Sequence, residues 1–213
     1  MNRNMRARCL VVFARVPRLG AVKTRLAKDI GEAQALDAYR CMLTSTLALR
    51  KGVQVDQAVL CLEGQDDQQE CLRLASTYDF ELALQVQGHL GARMQAACAG
   101  PLAAGSVVVL VGCDLPTLQA KDLNDAFDAL ATHDAVIAPT EDGGYGLVGL
   151  SRAIPDLFAE QCWGGAQVMG RSRLALRNAS ASWQELRTLW DVDELSGYLR
   201  WQASVKRPRE EIF

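Results

Sequence analysis

Histidine is scarce in this chain, and its scarcity limits the kinds of catalysis the sequence can support. Only His89 and His133 are present among 213 residues. Neither has a serine or cysteine partner at a recognisable spacing. Hydrolases that act through a Ser–His–Asp or Cys–His set are therefore excluded.

Disulfide frameworks, zinc sites and membrane spans are also missing from the sequence. The seven cysteines form no CxxC pair, and most lie in apolar patterns where a thiol packs as a small hydrophobe. No stretch approaches the ~20 apolar residues that a membrane span requires. The apolar run Cys9–Ala14 is too short for the core of a signal peptide. We therefore expect a reduced, cytoplasmic protein that contacts no membrane.

The net charge of −2 predicts no general attraction to nucleic acid. The charge is nevertheless unevenly distributed, since residues 1–28 contain eight basic side chains and no acid, while residues 101–150 contain seven acids and one lysine. This asymmetry favours a cationic edge beside an acidic, metal-binding pocket. A solvated basic tail and an acidic helix face are the alternative, and for Arg3, Arg6 and Arg8 the two interpretations are equally good.

Strand and helix patterns alternate along the chain. The run Val107–Val111 is the strongest strand signal because it is β-branched and entirely apolar. The other predicted strands are Cys9–Ala14, Ala58–Leu62, Glu81–Val86, Ala135–Ala138, Tyr145–Leu150 and Leu186–Leu189. The predicted helices are Glu32–Arg50, Gln65–Thr77, Gly91–Ala99, Gln119–Ala131, Gln167–Arg177 and Glu194–Ala203. The alternation predicts an α/β fold with a mostly parallel sheet, and the length fits one domain over residues 1–213 with a frayed tail at 206–213.

A basic loop follows the first predicted strand. Pro17 and Gly20 shape the turn, and Arg15, Lys23 and Arg25 supply fixed positive charge. The loop contains neither GxxxxGK[ST] nor GxGxxG, so it is not one of the common phosphate loops. Its position beyond a strand end nevertheless suits a phosphate chain. An ordinary surface loop with several cations is the alternative.

Two acidic segments are candidates for a divalent metal. Asp114 directly follows the strand Val107–Val111, where ligands bind in open α/β sheets. Carboxylates at such a site suit Mg²⁺ or Mn²⁺, although Asp114 before Leu-Pro also suits a turn. Asp191 and Asp193 form a second acidic pair that could share a metal. We favour a helix cap for Asp193 and leave the role of Asp191 open.

Two glycine-containing segments are candidates for contact with substrates. In the turn 141–146, Gly143 and Gly144 let the backbone approach a ligand and Tyr145 can contact it, although the segment also fits an ordinary hairpin. After the third strand, Gly91 and Arg93 have the layout of a second anion contact. Trp163 is a candidate wall of an acceptor site, with a core position as the alternative.

Taken together, these motifs resemble a known family. They occur in the order FARVPRLGAVKTRLA, QGHLGARM, VVLVGCDLP, APTEDGGYGLVGL and LWDVDELSGY. This order is similar to that of the glycosyltransferase-A-like proteins known as selenodomain-associated or arsenosugar-biosynthesis transferases, from about Cys9 to Tyr198. The loop at 15–26 also looks like the phosphate loop of phospholactate guanylyltransferases and molybdenum-cofactor nucleotidyltransferases.

The resemblance implies a three-layer α/β/α, Rossmann-like glycosyltransferase-A fold of the nucleotide-diphospho-sugar transferase type. It also implies that the loop at 15–25 meets nucleotide phosphates and that Asp114 helps to hold Mg²⁺ or Mn²⁺. Many such enzymes carry a DxD after the central strand, whereas this chain has Cys113–Asp114–Leu115–Pro116. The second metal ligand is therefore left between Asp142 and Asp191.

The predicted activity is metal-dependent transfer of a sugar from a nucleoside diphosphate to a small-molecule acceptor. Lys23, Arg25 and the metal would neutralise the charged leaving group, and Asp142 or Glu141 would accept the acceptor's proton. A nucleotidyltransferase acting on an NTP and a phosphorylated acceptor is the first alternative. A non-catalytic nucleotide-binding protein is the second. The expected partners are a nucleotide sugar or NTP and a small acceptor, with a homodimer left open.

Overall fold

The computed structural model describes residues 6–64, 69–159, 163 and 165–206, and its centre is a seven-stranded sheet. The strands are β1 (Arg8–Arg15), β2 (Gln57–Glu63), β3 (Glu81–Leu84), β4 (Val107–Gly112), β5 (Ala135–Pro139), β6 (Tyr145–Leu150) and β7 (Trp183–Glu185). Their order across the sheet is β3-β2-β1-β4-β6-β5-β7. Only the two pairings made by β6 are antiparallel, so the sheet is mostly parallel as predicted.

The described residues form seven α-helices, of which the first six lie between strands and the seventh follows β7. They are α1 (Thr24–Ile30), α2 (Glu32–Ala48), α3 (Gln69–Tyr78), α4 (Leu90–Ala103), α5 (Ala120–Ala129), α6 (Val168–Asn178) and α7 (Leu195–Lys206). Short 3₁₀ turns lie at Leu49–Gly52 and Pro155–Phe158. None of the helices in the described ranges is long and apolar enough to cross a membrane.

The sheet is buried on both faces, which makes the fold three-layered. In β1, Leu10 and Val12 belong to one hydrophobic core, while Cys9 and Val11 belong to the other. This alternation follows from the twofold period of a strand. Helices α2 and α5 pack in the first core, and helices α4 and α6 pack in the second. The predicted α/β/α architecture is therefore confirmed.

Several predicted boundaries need correction. The strand predicted at Leu186–Leu189 is wrong, because β7 occupies Trp183–Glu185 and Leu189 makes only an isolated bridge to Thr140. The basic loop is shorter than predicted, since α1 begins at Thr24. The strand β3 ends at Leu84, two residues before the predicted end. The predicted frayed tail begins at Lys206, but this residue ends helix α7. The rest of the predicted tail, 207–213, lies outside the described residues.

The topology gathers the polar segments at one edge of the sheet. Strands β3, β2, β1 and β4 are adjacent and parallel, so their carboxyl ends face the same side. Arg15 and Glu63 are the last residues of β1 and β2, and Gln85 and Asp114 closely follow β3 and β4. Ligands of open α/β sheets bind beyond such strand ends.

Candidate functional site

A cleft of about 460 Å³ opens at the carboxyl ends of these four strands. Four cationic side chains and several acids line it together with small and apolar residues. The charged residues are Arg15, Lys23, Arg25, Glu63, Arg93, Asp114 and Asp193. The cleft therefore brings together the predicted cationic phosphate ligands and the predicted metal ligand Asp114. Neither Gly20 nor Gly91 lines it among the described residues.

Lys23 and Asp114 form the central ion pair of the cleft. The Lys23 Nζ donates to Asp114 Oδ2 at 2.8 Å, and the lysine side chain is only 6% exposed. Burial alone would raise the pKa of Asp114, but the Lys23 ammonium, by its charge and its hydrogen bond, lowers the pKa of that carboxyl below its ordinary value. The same pairing outweighs burial at Lys23 and raises the lysine pKa. Both groups are therefore charged at neutral pH.

The other cations of the cleft also form ion pairs with carboxylates. Arg25 Nη1 donates to Asp193 Oδ2 at 3.1 Å, and the arginine is 65% exposed. Arg15 and Arg93 both contact the carboxylate of Glu63 at 2.8 Å. An anionic ligand entering the cleft meets cations that are already positioned by carboxylates.

A smaller pocket of about 180 Å³ adjoins the cleft at Asp114 and Leu90. We call it the side pocket. Its walls include the carboxylates of Asp114, Asp142 and Asp191 and the rings of Tyr145 and Trp163, together with Leu90, Met94, Leu115, Thr140, Gly144, Gly146 and Val168. The two rings meet edge to face, with centroids 6.2 Å apart. The Tyr145 hydroxyl and the Trp163 Nε1 are both buried without a hydrogen-bond partner.

The ionisation of Asp191 is disfavoured in the side pocket. Its pKa is raised to about 6, first by burial and then by the carboxylates of Asp114 and Asp142. The adjacent residue Val192 donates its N–H to the Asp114 carbonyl at 3.1 Å, which fixes this segment beside β4. Asp114 and Asp191 are thereby held near each other although they are far apart in sequence.

Asp191→Asn is expected to stabilise the protein at pH 7.5. Above pH about 6 the folded protein carries an ionised Asp191 that burial and two carboxylates disfavour, whereas in the unfolded chain the group ionises above about pH 4. Asp191 is only half-buried, so solvent screening limits the expected gain to about 1 kcal/mol, or ~2–4 °C in Tm.

Thermal unfolding between pH 4 and pH 8 measures this effect. The advantage of Asp191→Asn should shrink below pH about 6, where the folded wild-type protein takes up the proton, and should vanish near the unfolded pKa of about 4. An advantage that stays constant across this range would mean that the Asp191 charge is not its cause.

The two predicted base residues have different surroundings. Asp142 Oδ1 accepts from the Thr140 hydroxyl and from the Gly144 N–H, so its carboxyl group is held at the side pocket. Glu141 instead pairs with Arg200 at 2.7 Å, outside the side pocket. Of the two, Asp142 has the geometry for proton transfer to a group bound in the side pocket.

Four glycines that were candidate ligand contacts occupy different environments. Gly20 lies in an exposed turn with φ of 71°. Gly91 is buried, and a Cβ there would lie 2.2 Å from the Phe158 carbonyl. Gly143 has φ of 89° and a Cβ there would lie 2.5 Å from the Ala166 carbonyl. Gly144 lines the side pocket, and its φ lies outside the left-handed region.

Gly143→Ala is expected to lower stability by about 2 kcal/mol or more, because alanine is strained at positive φ and its methyl group would displace Ala166. This corresponds to ~4–8 °C in Tm for a chain of this size. Gly144→Ala should have a smaller effect, since its methyl group meets only the Asp142 and Thr140 oxygens, at 3.3 Å. Equal losses of Tm in the two variants would contradict this assignment.

The predicted metal ligands fit a cation that is shared with a substrate. Among the residues that the structure describes, no three His, Cys, Asp or Glu side chains gather closely enough to hold an ion alone. Mg²⁺ is commonly held by one or two carboxylates together with substrate phosphates. Asp114 and Asp191 provide two carboxylates on one pocket, and their repulsion would be relieved by a cation.

Sequence reasoning missed several residues of the cleft. Glu63, Gln85 and Tyr39 line it without belonging to any conspicuous motif. Gln85 accepts from Arg93 at 2.9 Å and donates to two strand-end carbonyls. The Tyr39 hydroxyl bonds both backbone groups of Arg15. Glu63 ends β2 and Gln85 follows β3, and this position at the strand ends was the only signal for the two of them. Tyr39 lies within α2, where its sequence pattern indicates only a helix face.

Asp193 was favoured as a helix cap, but its carboxylate contacts the cationic loop. It pairs with Arg25 and lies 3.6 Å from the Lys23 ammonium. Helix α7 begins two residues later, at Leu195. Asp193 is therefore part of the cleft.

This architecture is that of the nucleotide-diphospho-sugar transferase fold. The chain is similar to a protein from Desulfovibrio desulfuricans G20 provisionally described as a nucleotide-diphospho-sugar transferase, with a TM-score of 0.82, 28% identity and coverage of 95% of this chain and 89% of the other. It also resembles the Rv0371c protein of Mycobacterium tuberculosis H37Rv in complex with manganese, with a TM-score of 0.57, 20% identity and coverage of 93% and 99% of the two chains.

Residues 46–165, more than half of the chain, match the family described as "Uncharacterized protein conserved in bacteria (DUF2064)", and the chain belongs to this family. A curated relative, the 3-phospho-D-glycerate guanylyltransferase of Phenylobacterium zucineum (strain HLK1), is 42% identical over 71 residues. That match covers 33% of this chain and only 31% of the relative. Together the comparisons show a fold of the nucleotidyl- and sugar-transferase type.

Proposed function

We propose that this protein transfers a sugar from a nucleoside diphosphate to a small-molecule acceptor. The observation that carries the proposal is the composition of the side pocket. Its described lining contains three carboxylates and two aromatic rings but no Lys, Arg or His. Carboxylates accept hydrogen bonds from hydroxyl groups, and the buried Tyr145 and Trp163 can donate them. This chemistry suits a neutral, hydroxylated group better than a phosphate.

The neighbouring cleft suits the diphosphate of such a donor. Arg15, Lys23, Arg25 and Arg93 all line it, and charged hydrogen bonds to phosphate oxygens are among the strongest that a protein makes. A donor with its diphosphate in the cleft would have its sugar next to the side pocket, because both cavities share Asp114. A divalent cation held by Asp114 and Asp191 would supply further positive charge to the diphosphate.

In this reaction the acceptor hydroxyl oxygen forms a bond to the anomeric carbon, and the bond from that carbon to the β-phosphate oxygen breaks. The nucleoside diphosphate leaves with the bonding electrons, and Lys23 and Arg25 stabilise its charge. Asp142 accepts the hydroxyl proton, since its carboxylate is oriented by Thr140 and Gly144 at the side pocket. The resemblance of the sequence motifs to arsenosugar-biosynthesis transferases also favours sugar transfer. Membership of that family stays a prediction.

Nucleotidyl transfer from an NTP to a phosphorylated acceptor is the second candidate. A groove of about 530 Å³ shares Asp142 and Asp191 with the side pocket and contains two arginines, Arg25 and Arg200. These arginines pair with Asp193 and Glu141, which line the same groove. A phosphorylated acceptor would have to take these arginines from their carboxylate partners. The guanylyltransferase relative supports this alternative.

The role of the side pocket is tested by comparing nucleotide sugars with their parent nucleoside diphosphates. Tyr145→Phe removes a hydroxyl that has no partner within the protein, so stability should hardly change. Calorimetry with Mn²⁺ should show affinity for the best-binding sugar nucleotide falling about three- to tenfold, as expected for one hydrogen bond, while affinity for the diphosphate is retained.

Ser172→Ala is the matched control for this experiment. It removes another buried hydroxyl without a partner, on helix α6 and not in the lining of the side pocket. Its affinity for both ligands should equal that of the wild type. Equal weakening of sugar nucleotide and diphosphate by Tyr145→Phe, or no weakening of either, would contradict a sugar in the side pocket.

A further inference from the structure

Lys23 has a left-handed backbone conformation, which is unusual for a residue at the start of a helix. It lies at the start of α1 with φ of 48° and ψ of 44°, in the left-handed region. The other described non-glycine residues with positive φ are Asp79 and Ser180, which follow the carboxyl ends of α3 and α6. Left-handed residues are common there, whereas residues that precede a helix are usually extended. Such strain tends to persist at functional sites.

The side chain of Lys23 lies where a metal would meet Asp114. Its ammonium is 2.8 Å from Asp114 Oδ2 and 3.6 Å from Asp193 Oδ1. A divalent cation bound through the same carboxylate oxygen would stand against this ammonium at close range, and two positive charges in a buried site repel each other strongly. The ammonium and the metal therefore compete for Asp114 as long as Lys23 stays in place.

We propose that Lys23 is the counter-ion of Asp114 in the absence of nucleotide, so that a divalent metal binds tightly only after phosphates draw the ammonium away. The inference rests on the proposed function for the roles of Asp114 and the cleft. A lysine is suited to this exchange because its ammonium is a point charge on a flexible stem. Metal and nucleotide binding are then coupled, and each strengthens the other by the same factor.

The other cations of the cleft are not placed to act as the counter-ion of Asp114. Arg25 pairs with Asp193 and is largely exposed. Arg15 and Arg93 pair with Glu63 at the end of β2. Only Lys23, among the described residues, forms an ion pair with Asp114. Arg25→Met is therefore a matched control, because it removes one positive charge from the same cleft without uncovering Asp114.

The test is titration of the nucleotide-free protein with Mn²⁺ alone. Lys23→Met should bind Mn²⁺ at least tenfold more tightly than the wild type, whereas Arg25→Met should stay within about twofold of it. In the double variant Lys23→Met/Asp114→Asn the gain should disappear, because it depends on the freed carboxylate. Unchanged or weaker Mn²⁺ binding by folded Lys23→Met would overturn the proposal, as would an equal gain in Arg25→Met.

Thermal unfolding provides a second measurement and checks that the variants fold. Lys23→Met leaves the Asp114 carboxylate without its partner, so its Tm should fall. Mn²⁺ should then raise the Tm of Lys23→Met more than that of the wild type, since a ligand stabilises the state that binds it. An equal rise in both proteins would contradict the exchange. Neither measurement involves turnover, so a failure of the glycosyl-transfer proposal would leave these results unaffected.

Discussion

Asp114→Asn is expected to abolish the metal-dependent part of nucleotide binding and to lower turnover by about 100-fold or more, the effect of removing a main electrostatic contact in a transferase site. Asp114 is shared by the cleft and the side pocket, and the Lys23 ammonium keeps it ionised. Asparagine keeps the shape but removes the charge that a divalent cation requires. Calorimetric titration with a nucleoside diphosphate, with Mn²⁺ and with EDTA, separates the two parts of the affinity.

The control for this prediction is the stability of the variant. Asparagine leaves Lys23 with Asp193 as its remaining acidic neighbour, at 3.6 Å, so some loss of Tm is expected. Affinity should therefore be measured well below the Tm of the variant. A folded Asp114→Asn protein that retains the full Mn²⁺-dependent affinity would show that the metal lies elsewhere.

Lys23→Met is expected to weaken binding of a nucleoside diphosphate by roughly 10- to 100-fold in the presence of EDTA, the range of one lost charged hydrogen bond. Binding of the nucleoside alone should change little, because the lysine lies with the other cations of the phosphate cleft. Without metal, the measured affinity reports the contact between Lys23 and phosphate alone, because no metal can replace the lysine ammonium at Asp114. Equal weakening of nucleoside and diphosphate would indicate a misfolded loop instead of a lost phosphate contact.

The paired charges of the cleft have a consequence for ligand binding. Lys23, Arg25 and Arg93 each form an ion pair with a carboxylate at about 3 Å. These pairs fix the cations before a ligand arrives, which reduces the entropy lost on binding. A diphosphate must also compete with the same carboxylates. A metal that neutralises Asp114 would free the Lys23 ammonium to contact the diphosphate. Metal binding at Asp114 and diphosphate binding in the cleft would therefore favour each other.

Much of the fold could be predicted because the strands are strongly apolar. Val107–Val111 and Cys9–Ala14 become adjacent central strands β4 and β1, buried on both faces. Since ligands bind beyond strand ends, the position of Asp114 at the cleft followed from its place after β4. By contrast, β7 has only three residues, of which two are exposed, so no apolar pattern marks it.

The contacts between distant segments could not be predicted from local patterns. Asp193 looks like a helix cap in sequence, yet its partner Arg25 is 168 residues away. In the sequence, Glu63 is an ordinary glutamate at the end of a strand. In the fold it pairs with both Arg15 and Arg93.

The paired glycines illustrate the same limit. Gly143 and Gly144 are indistinguishable in sequence. The difference arises from the positive φ of Gly143 and from Ala166, which packs against it.

The central claim is the identity of the group transferred, and the most direct measurement is ³¹P NMR of the products. The protein would be incubated with Mg²⁺, which is diamagnetic and leaves the phosphorus signals sharp, a panel of nucleotide sugars and NTPs, and a pool of small hydroxylated and phosphorylated acceptors. Glycosyl transfer predicts that a nucleotide sugar is converted to its nucleoside diphosphate, with no signal from pyrophosphate. Release of pyrophosphate from an NTP, with the nucleotide sugars left intact, would contradict it and would establish nucleotidyl transfer.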